Sequence, residues 1–358
     1  MHFYADSGKP DGIIHSYETA VRLSPYSAQY WADLGAAYDW AGRPNDALRA
    51  FERARELFPN SPDINWRLAN FYIRAGKITE GLHSLQKVLL GDSMERRPIF
   101  VIATSATRDT KAIVDEVLPL RANIFFDFLN FLIEAHNIDA VEQVWARLLE
   151  LNLPFDFRQA FPYLDALIQH RDSEHLAQAW STLAERFPAQ IRPYVSNPEL
   201  ITNGSFELEI LNGGLDWRVL PVEGAIVSVD SLDSLDGVRS LRIEFDGTHN
   251  LDYGHVLQFV PVKPNTRYRF SSYMRAKGIT TDSGARFQIF DAYDMGKLFL
   301  STENLVGTSG WSPRQVEFKT GPDTRLLVVR LARSLSHKLD NRVAGTVWID
   351  RVSLDAKE

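Results

Sequence analysis

Apolar positions recur at helical spacing through the first half of the chain and at a spacing of two through the second. Trp31, Leu34, Gly35 and Tyr38 share one helical face, and Ala47, Phe51 and Ala54 share another after the turn Gly42-Arg43-Pro44. The register returns 34 residues later, where Leu68, Ala69, Tyr72 and Leu85 repeat Leu34, Gly35, Tyr38 and Phe51, with Gly76-Lys77 as the turn. It also runs backwards, because Tyr4, Tyr17, Ala20 and Pro25 precede Tyr38, Phe51, Ala54 and Pro59 by the same 34 residues. Gly35, Ala47, Ala54 and Ala69 are expected where paired helices approach closely, since bulk there would part them. Pro59 and Pro62 are expected to stop the second helix. Past about residue 92 the consensus fades but the period persists. Amphipathic helices are predicted over 122–135, 138–151, 158–170 and 173–187, with Ala140 and Ala177 as small contacts and a short helix near 110–118. The series is about five hairpins. The first lacks most of its leading helix, so either the true start lies upstream or the chain is a fragment.

The pattern changes near Phe187-Pro188. Residues 188–198 carry three prolines and no helical period, which suits a linker of restricted geometry. Strands are predicted near 222–229, 238–245, 254–262, 266–277, 285–291, 313–320, 324–333 and 345–354. Many short strands with no helix between them indicate a two-sheet antiparallel sandwich. The expected organisation is a multidomain α + β chain: an α-solenoid over 1–187, a linker over 188–198 and a β-sandwich over 199–358.

A length of 358 residues suits about two domains, and 45% hydrophobic with 24% charged residues is ordinary for a globular chain. The net charge of −7 divides as 20 basic against 25 acidic side chains in 1–198 and 19 against 21 in 199–358. Neither half has the basic footprint that nucleic acid requires. No apolar run reaches the span of a bilayer. With no cysteine, disulfides, zinc thiolates and thiol catalysis are excluded. The opening MHFYADSGKP is not a signal peptide. With an export signal upstream of Met1 the chain is expected in a bacterial periplasm or cell envelope, and otherwise in the cytoplasm.

The spacing of Trp31, Leu34, Gly35 and Tyr38, followed in step by Ala47, Phe51, Ala54 and Pro59, resembles the tetratricopeptide repeat. That resemblance implies an all-α superhelix with a surface for a protein or peptide partner and no chemistry of its own. The first full repeats define a candidate groove. Arg67, Asn70 and Arg74 follow i, i+3, i+7 beside Trp66, which suits an acidic or C-terminal peptide, with Asn70 on its backbone and the arginines on carboxylate. The plainer reading is a solvated polar face, and Asp33 and Asp39 mix the sign of the surface.

In the second half, Asn203-Gly204-Ser205-Phe206-Glu207, Ser240-Leu241-Arg242-Ile243, Val262 to Tyr268, Thr308-Ser309-Gly310-Trp311 and Val347 to Leu354 occur in order. The series is similar to the jelly-roll carbohydrate-binding modules of the galactose-binding-like superfamily. It implies a lectin-like sandwich, often with a structural calcium ion. If the first and last strands lie side by side, Glu207 and Asp350 come close and need a cation or a proton; the alternative is pairing with arginine or water, with Arg351 at hand. For a glycan, aromatic faces and planar polar groups are needed. Trp217, Tyr253, Tyr273, Tyr293 and Trp311 are aromatic candidates, although Trp311 and Trp348 match structural positions and are expected in the core. Tyr253, Gln258, Arg275 and Gln288 are the selected ligand residues. If Phe287 and Ile289 are core, Arg286, Gln288 and Phe290 face outward.

No catalytic set emerges. The nine histidines are scattered, HExxH is absent, and Gly307 to Gly310 is not a nucleophile elbow. The expected function is a non-catalytic bacterial adaptor that binds a protein through the repeats and a polysaccharide through the sandwich, in cell-envelope or exopolysaccharide assembly. The alternatives are a pure protein-interaction scaffold with a structural sandwich, and an accessory part of a glycoside-active enzyme.

Overall fold

A computed structural model of the chain describes residues 10–91, 95–195 and 200–357. Tyr4 of the 34-residue register and residues 196–198 of the expected linker lie outside them. Two compact units meet at Asp156 and Phe157.

The first unit is helical: α1 (Pro10–Leu23), α2 (Ala28–Trp40), α3 (Pro44–Leu57), α4 (Pro62–Arg74), α5 (Ile78–Leu90), α6 (Arg97–Ala106), α7 (Thr110–Glu116), α8 (Ala122–Glu134) and α9 (Ile138–Glu150). Local chemistry repeats with the period. Ser27 and Ser61 cap α2 and α4, each hydroxyl accepting an amide three residues on. Gly42 and Gly76 take φ of 70° and 75° at equivalent turns, a conformation that suits glycine. The Tyr38 hydroxyl donates to Glu18 at 2.7 Å, and Tyr72 donates to Glu52 at 3.3 Å. Ala47, Phe51, Ala54, Leu68 and Tyr72 form one core cluster. A Cβ on Gly35 would lie 2.7 Å from the Phe51 ring, which explains the glycine where α2 crosses α3. Pro62 corrects one expectation: it is the first residue of α4, where its missing N–H costs nothing, so it starts a helix rather than stopping one. Helix α6 was not anticipated, because a short run such as Ile99 to Ala103 is ambiguous in period.

The second unit contains a 3-10 turn (Phe157–Ala160), α10 (Phe161–Gln169), α11 (Ser173–Arg186), α12 (Arg192–Val195) and ten strands. It begins well before the change from helix to strand, because the last hairpin packs on the segment that leads into the sandwich. Phe161 lies against Gly213 and Trp180 against Gly214, each within 2.3 Å of where a Cβ would sit. Arg218 donates to Asp165 at 2.5 Å. The Tyr194 hydroxyl donates to the Glu209 carbonyl at 2.6 Å. The described part of 188–198 therefore holds α12, with Ile191 and Tyr194 buried.

The strands are β1 (Arg218–Val219), β2 (Ala225–Asp230), β3 (Ser240–Asp246), β4 (Tyr253–Pro261), β5 (Arg267–Ile279), β6 (Arg286–Asp291), β7 (Phe299–Ser301), β8 (Gly307–Lys319), β9 (Leu326–Arg333) and β10 (Ala344–Lys357). They form two five-stranded antiparallel sheets, β1-β4-β9-β6-β7 and β2-β3-β10-β5-β8. Alternate residues of both meet in one core that includes Ile243, Val256, Phe270, Phe287, Val329 and Ile349. β10 changes phase at a bulge between Asp350 and Ser353, where Arg351 takes φ 48°. Val347 and Ile349 point inward before it, Val352 and Leu354 after it, and Asp350 is buried at the slip.

Candidate binding surfaces

The four repeat residues come together. Trp66, Arg67, Asn70 and Arg74 line a groove of about 530 Å³ with Ala36, Asp39, Trp40 and Phe51, between α2 and α4. Trp40 is 57% exposed at its edge. The arginines are not free cations, however. Arg67 reaches Asp33 at 2.8 Å and Asp63 at 2.9 Å, and Arg74 pairs with Asp39. Asn70 donates to the Trp66 carbonyl at 2.8 Å, which leaves its carbonyl oxygen to accept. A peptide carboxylate would have to displace acids already bound, so the expectation of an arginine clamp gives way to an aromatic groove with paired charges. The stitching continues further along the repeats. Arg96 pairs with Asp127, and Arg97 pairs with Glu134 while lying over the Phe131 ring. Asp33 and Arg67 stand one period apart, a signal visible in the numbering.

The four glycan candidates do not converge. Tyr253 is 2% exposed, packs edge-on against Phe245 and has a buried hydroxyl with no partner among the described residues, and burial raises its pKa. Gln258 is wholly buried, accepting from the Thr202 amide at 2.9 Å and donating to the Thr202 carbonyl at 2.8 Å. It acts as a clip that fastens the entry segment to β4, since a primary amide can imitate a strand's donor and acceptor. Arg275 stands on the opposite sheet, over the Trp348 ring and paired with Asp233. Only Gln288 lies on the outer face of the β6 sheet, where its amide oxygen accepts from Arg330 Nε at 2.8 Å. Phe287 and Ile289 are core, which turns Arg286, Gln288 and Phe290 outward. Trp217 is also core, whereas Trp311 is half-buried rather than core. Trp348 is buried, and its indole donates to Asp230 at 2.8 Å, which holds that carboxyl below its usual range.

Glu207 and Asp350 are brought to one loop. Entry residues run beside β10, with the Val352 amide donating to the Gly204 carbonyl at 2.9 Å and a Cβ on Gly204 landing 1.9 Å from the Val352 oxygen. Asp350 accepts amides of Leu235, Asp236 and Arg351 at 2.8, 3.0 and 2.7 Å. Glu207 accepts those of Val238 and Arg239 at 2.8 and 2.9 Å. Burial raises the Asp350 pKa, and the three amides oppose that rise. Among the described residues no basic side chain forms an ion pair with Asp350; Arg351 turns instead to Asp236 at 3.7 Å. The two carboxylates therefore clamp opposite ends of one loop, Asp350 through Leu235 and Asp236 and Glu207 through Val238 and Arg239, and oxygen donors of this kind suit a hard ion.

The Tetratricopeptide repeat family matches residues 40–95. A stretch of 97 residues, 26% of this chain, is 34% identical to the cytochrome c-type biogenesis protein CycH of Pseudomonas aeruginosa and covers 24% of that protein. Another of 83 residues, 23% of this chain, is 32% identical to Superkiller protein 3 of Schizosaccharomyces pombe and covers 6% of it. The chain thus matches a quarter or less of the length of these relatives. Among solved structures, a Family 16 Carbohydrate Binding Module-2 overlaps 44% of this chain and 99% of its own at 21% identity and a TM-score of 0.30. The hairpins over residues 40–95 match the tetratricopeptide repeat, and the ten strands that follow the helices form a two-sheet antiparallel sandwich.

Proposed function

We propose that the protein is a non-catalytic bacterial adaptor that holds a protein partner in the repeat groove and a glycan on the sandwich. The observation that carries the first part is the groove itself, where exposed Trp40 adjoins Trp66 and the spare acceptor of Asn70. Aromatic walls bind apolar side chains of an extended segment, and a fixed amide reads its backbone. Repeats and sandwich are non-catalytic kinds of domain, which supports recognition as the purpose. A peptide array probed with the full chain tests the groove: Trp66→Ala and Asn70→Ala should each abolish the strongest signals. Unchanged signals in both variants, or none with the wild type, would defeat this reading.

A place in cell-envelope or exopolysaccharide assembly, in a bacterial periplasm or cell envelope, belongs to the same proposal. So does a structural calcium ion held by Glu207 and Asp350, which would supply the positive charge that the buried carboxylate lacks. A second reading, a pure protein scaffold with a structural sandwich, draws support from Tyr253 and Gln258, whose side chains serve the core rather than a surface.

A further inference from the structure

Register defines the outer face of the β1-β4-β9-β6-β7 sheet. Leu257 lies opposite Arg330, and Arg330 opposite Gln288, which lies opposite Ser301. Arg286 pairs with Ala332, one diagonal step from Arg330. One end of this face is occupied. Asp165 of α10 holds Arg218, and Arg171 just beyond α10 lies over Tyr293, so the helix runs across the end where outward-facing Leu326 and Val328 are buried. The other end keeps Arg286, Arg330, His255 and Leu257 half-exposed.

Two features of that open end are unusual. Arg330 is held rigidly: its Nε donates to Gln288, its plane lies 4.9 Å from the Phe290 ring centroid, and it passes over Gly254, where a Cβ would sit 3.5 Å from Nη1. Its two terminal nitrogens make no hydrogen bond among the described residues. Among the described residues, Arg286 meets the Ser283 hydroxyl at 3.5 Å and no other hydrogen-bond partner, and its Nε is buried with none. Neither arginine forms an ion pair among the described residues, in a chain whose net charge is −7. Glu303, which follows β7, is exposed and makes no ion pair with either arginine among the described residues. A fixed, half-desolvated guanidinium without a counter-charge is costly unless something supplies one. A planar carboxylate fits its fork, and a neutral hydroxyl does not cancel its charge.

Resting on the glycan reading above, we propose that this open face binds acidic polysaccharides, with Arg286 and Arg330 receiving the carboxylate of a uronic acid. Leu257, opposite Arg330, offers apolar contact for the sugar ring, and the edge residue Phe299, 46% exposed, extends it at the level of Phe290.

The test is affinity electrophoresis of the full chain through gels containing polygalacturonate, its methyl ester or neutral xylan. Retardation by polygalacturonate should exceed that by the ester, which has the same backbone without the charge, by about tenfold. Arg286→Gln and Arg330→Gln should each weaken it about tenfold with unchanged circular dichroism. Arg330→Lys, which keeps the charge but not the fork, should fall between, and Arg269→Gln on the other sheet should match wild type. Equal retardation by acid and ester, or variants as strong as wild type, would overturn acid selectivity while leaving glycan binding standing. No retardation by any polymer would overturn the glycan reading and this inference together.

Discussion

Asp216 should cost the sandwich stability as pH rises, and Asp216→Asn should remove that cost. The side chain is fully buried beside Trp217. Its Oδ2 accepts the Leu211 amide at 2.7 Å, while Oδ1 is buried with no partner among the described residues. Burial pushes the carboxyl up from 3.8 to about 7, against the pull of the Leu211 and Trp217 amides. Between those two values the folded protein retains a proton that the unfolded chain has released. Stability therefore falls as pH climbs through that window and levels off above it. About three pH units at about 1.4 kcal/mol each gives an upper bound of about 4 kcal/mol, of which about 3 kcal/mol is lost between pH 5 and pH 8. Asparagine keeps the acceptor for Leu211 and loses the charge, but places an amide donor where Oδ1 has no partner, at a cost of about 1–3 kcal/mol. The net gain at pH 8 should be about 1–3 kcal/mol, shrinking at pH 5. Urea titrations read by hydrogen-exchange mass spectrometry separate sandwich peptides from the repeats, and comparing variant with wild type at each pH cancels the intrinsic rate. A variant less stable than wild type at pH 8, or a difference equal at both pH values, would refute the reasoning.

Three further outcomes follow from packing and charge. Gly35→Ala should destabilise the repeats by about 1–3 kcal/mol, seen as a lower helical melting midpoint, because the added Cβ meets Phe51 at 2.7 Å; an unchanged midpoint would show that α2 and α3 part freely. Arg333→Leu should cost the sandwich at least about 3 kcal/mol in urea, because the buried guanidinium bonds Ser283 O, Asn250 Oδ1, Leu251 O, Thr281 Oγ1 and Asn341 O, each of which would lose a donor. Chelator should lower the melting midpoint of the sandwich and calcium restore it, with Glu207→Ala blind to both; if chelator has no effect, the carboxylates are amide clamps alone.

The repeats were legible because their chemistry is periodic. Each feature that mattered, from the Gly35 approach to the Gly76 turn, recurs at one interval and confirms itself. The sandwich was legible at the level of strands: the eight predicted positions all hold strands, while two short edge strands, Arg218–Val219 and Phe299–Ser301, carry too few residues for alternation to register. The site was harder. Alternation assigned the face of Gln288 correctly, but Tyr253 and Gln258 were chosen for residue type, and a tyrosine or glutamine reads the same whether it greets a ligand or closes a core. Arg330 carried a better signal that went unused, a cation inside a strand that is apolar up to its last residue, Arg333, and out of phase with the core residues Leu327, Val329 and Leu331. The bulge at Asp350 was likewise written in the slip from odd to even apolar positions between Ile349 and Val352. The pairing of Arg67 with Asp33 and of Arg74 with Asp39 could not be read from a single helix, because those acids belong to the preceding repeat; Asp63, the other partner of Arg67, lies four residues before it on the same helix.

The placement of the last hairpin governs where this chain can be cut. A fragment opened at the change from helix to strand would uncover the flat glycine patch at Gly213 and Gly214 and deprive Arg218 of its counter-ion. Such a truncation would be sticky and prone to aggregate, and its failure to capture any sugar would say little about the native face. Recombinant forms, and proteolytic products that survive digestion, should begin ahead of Phe157.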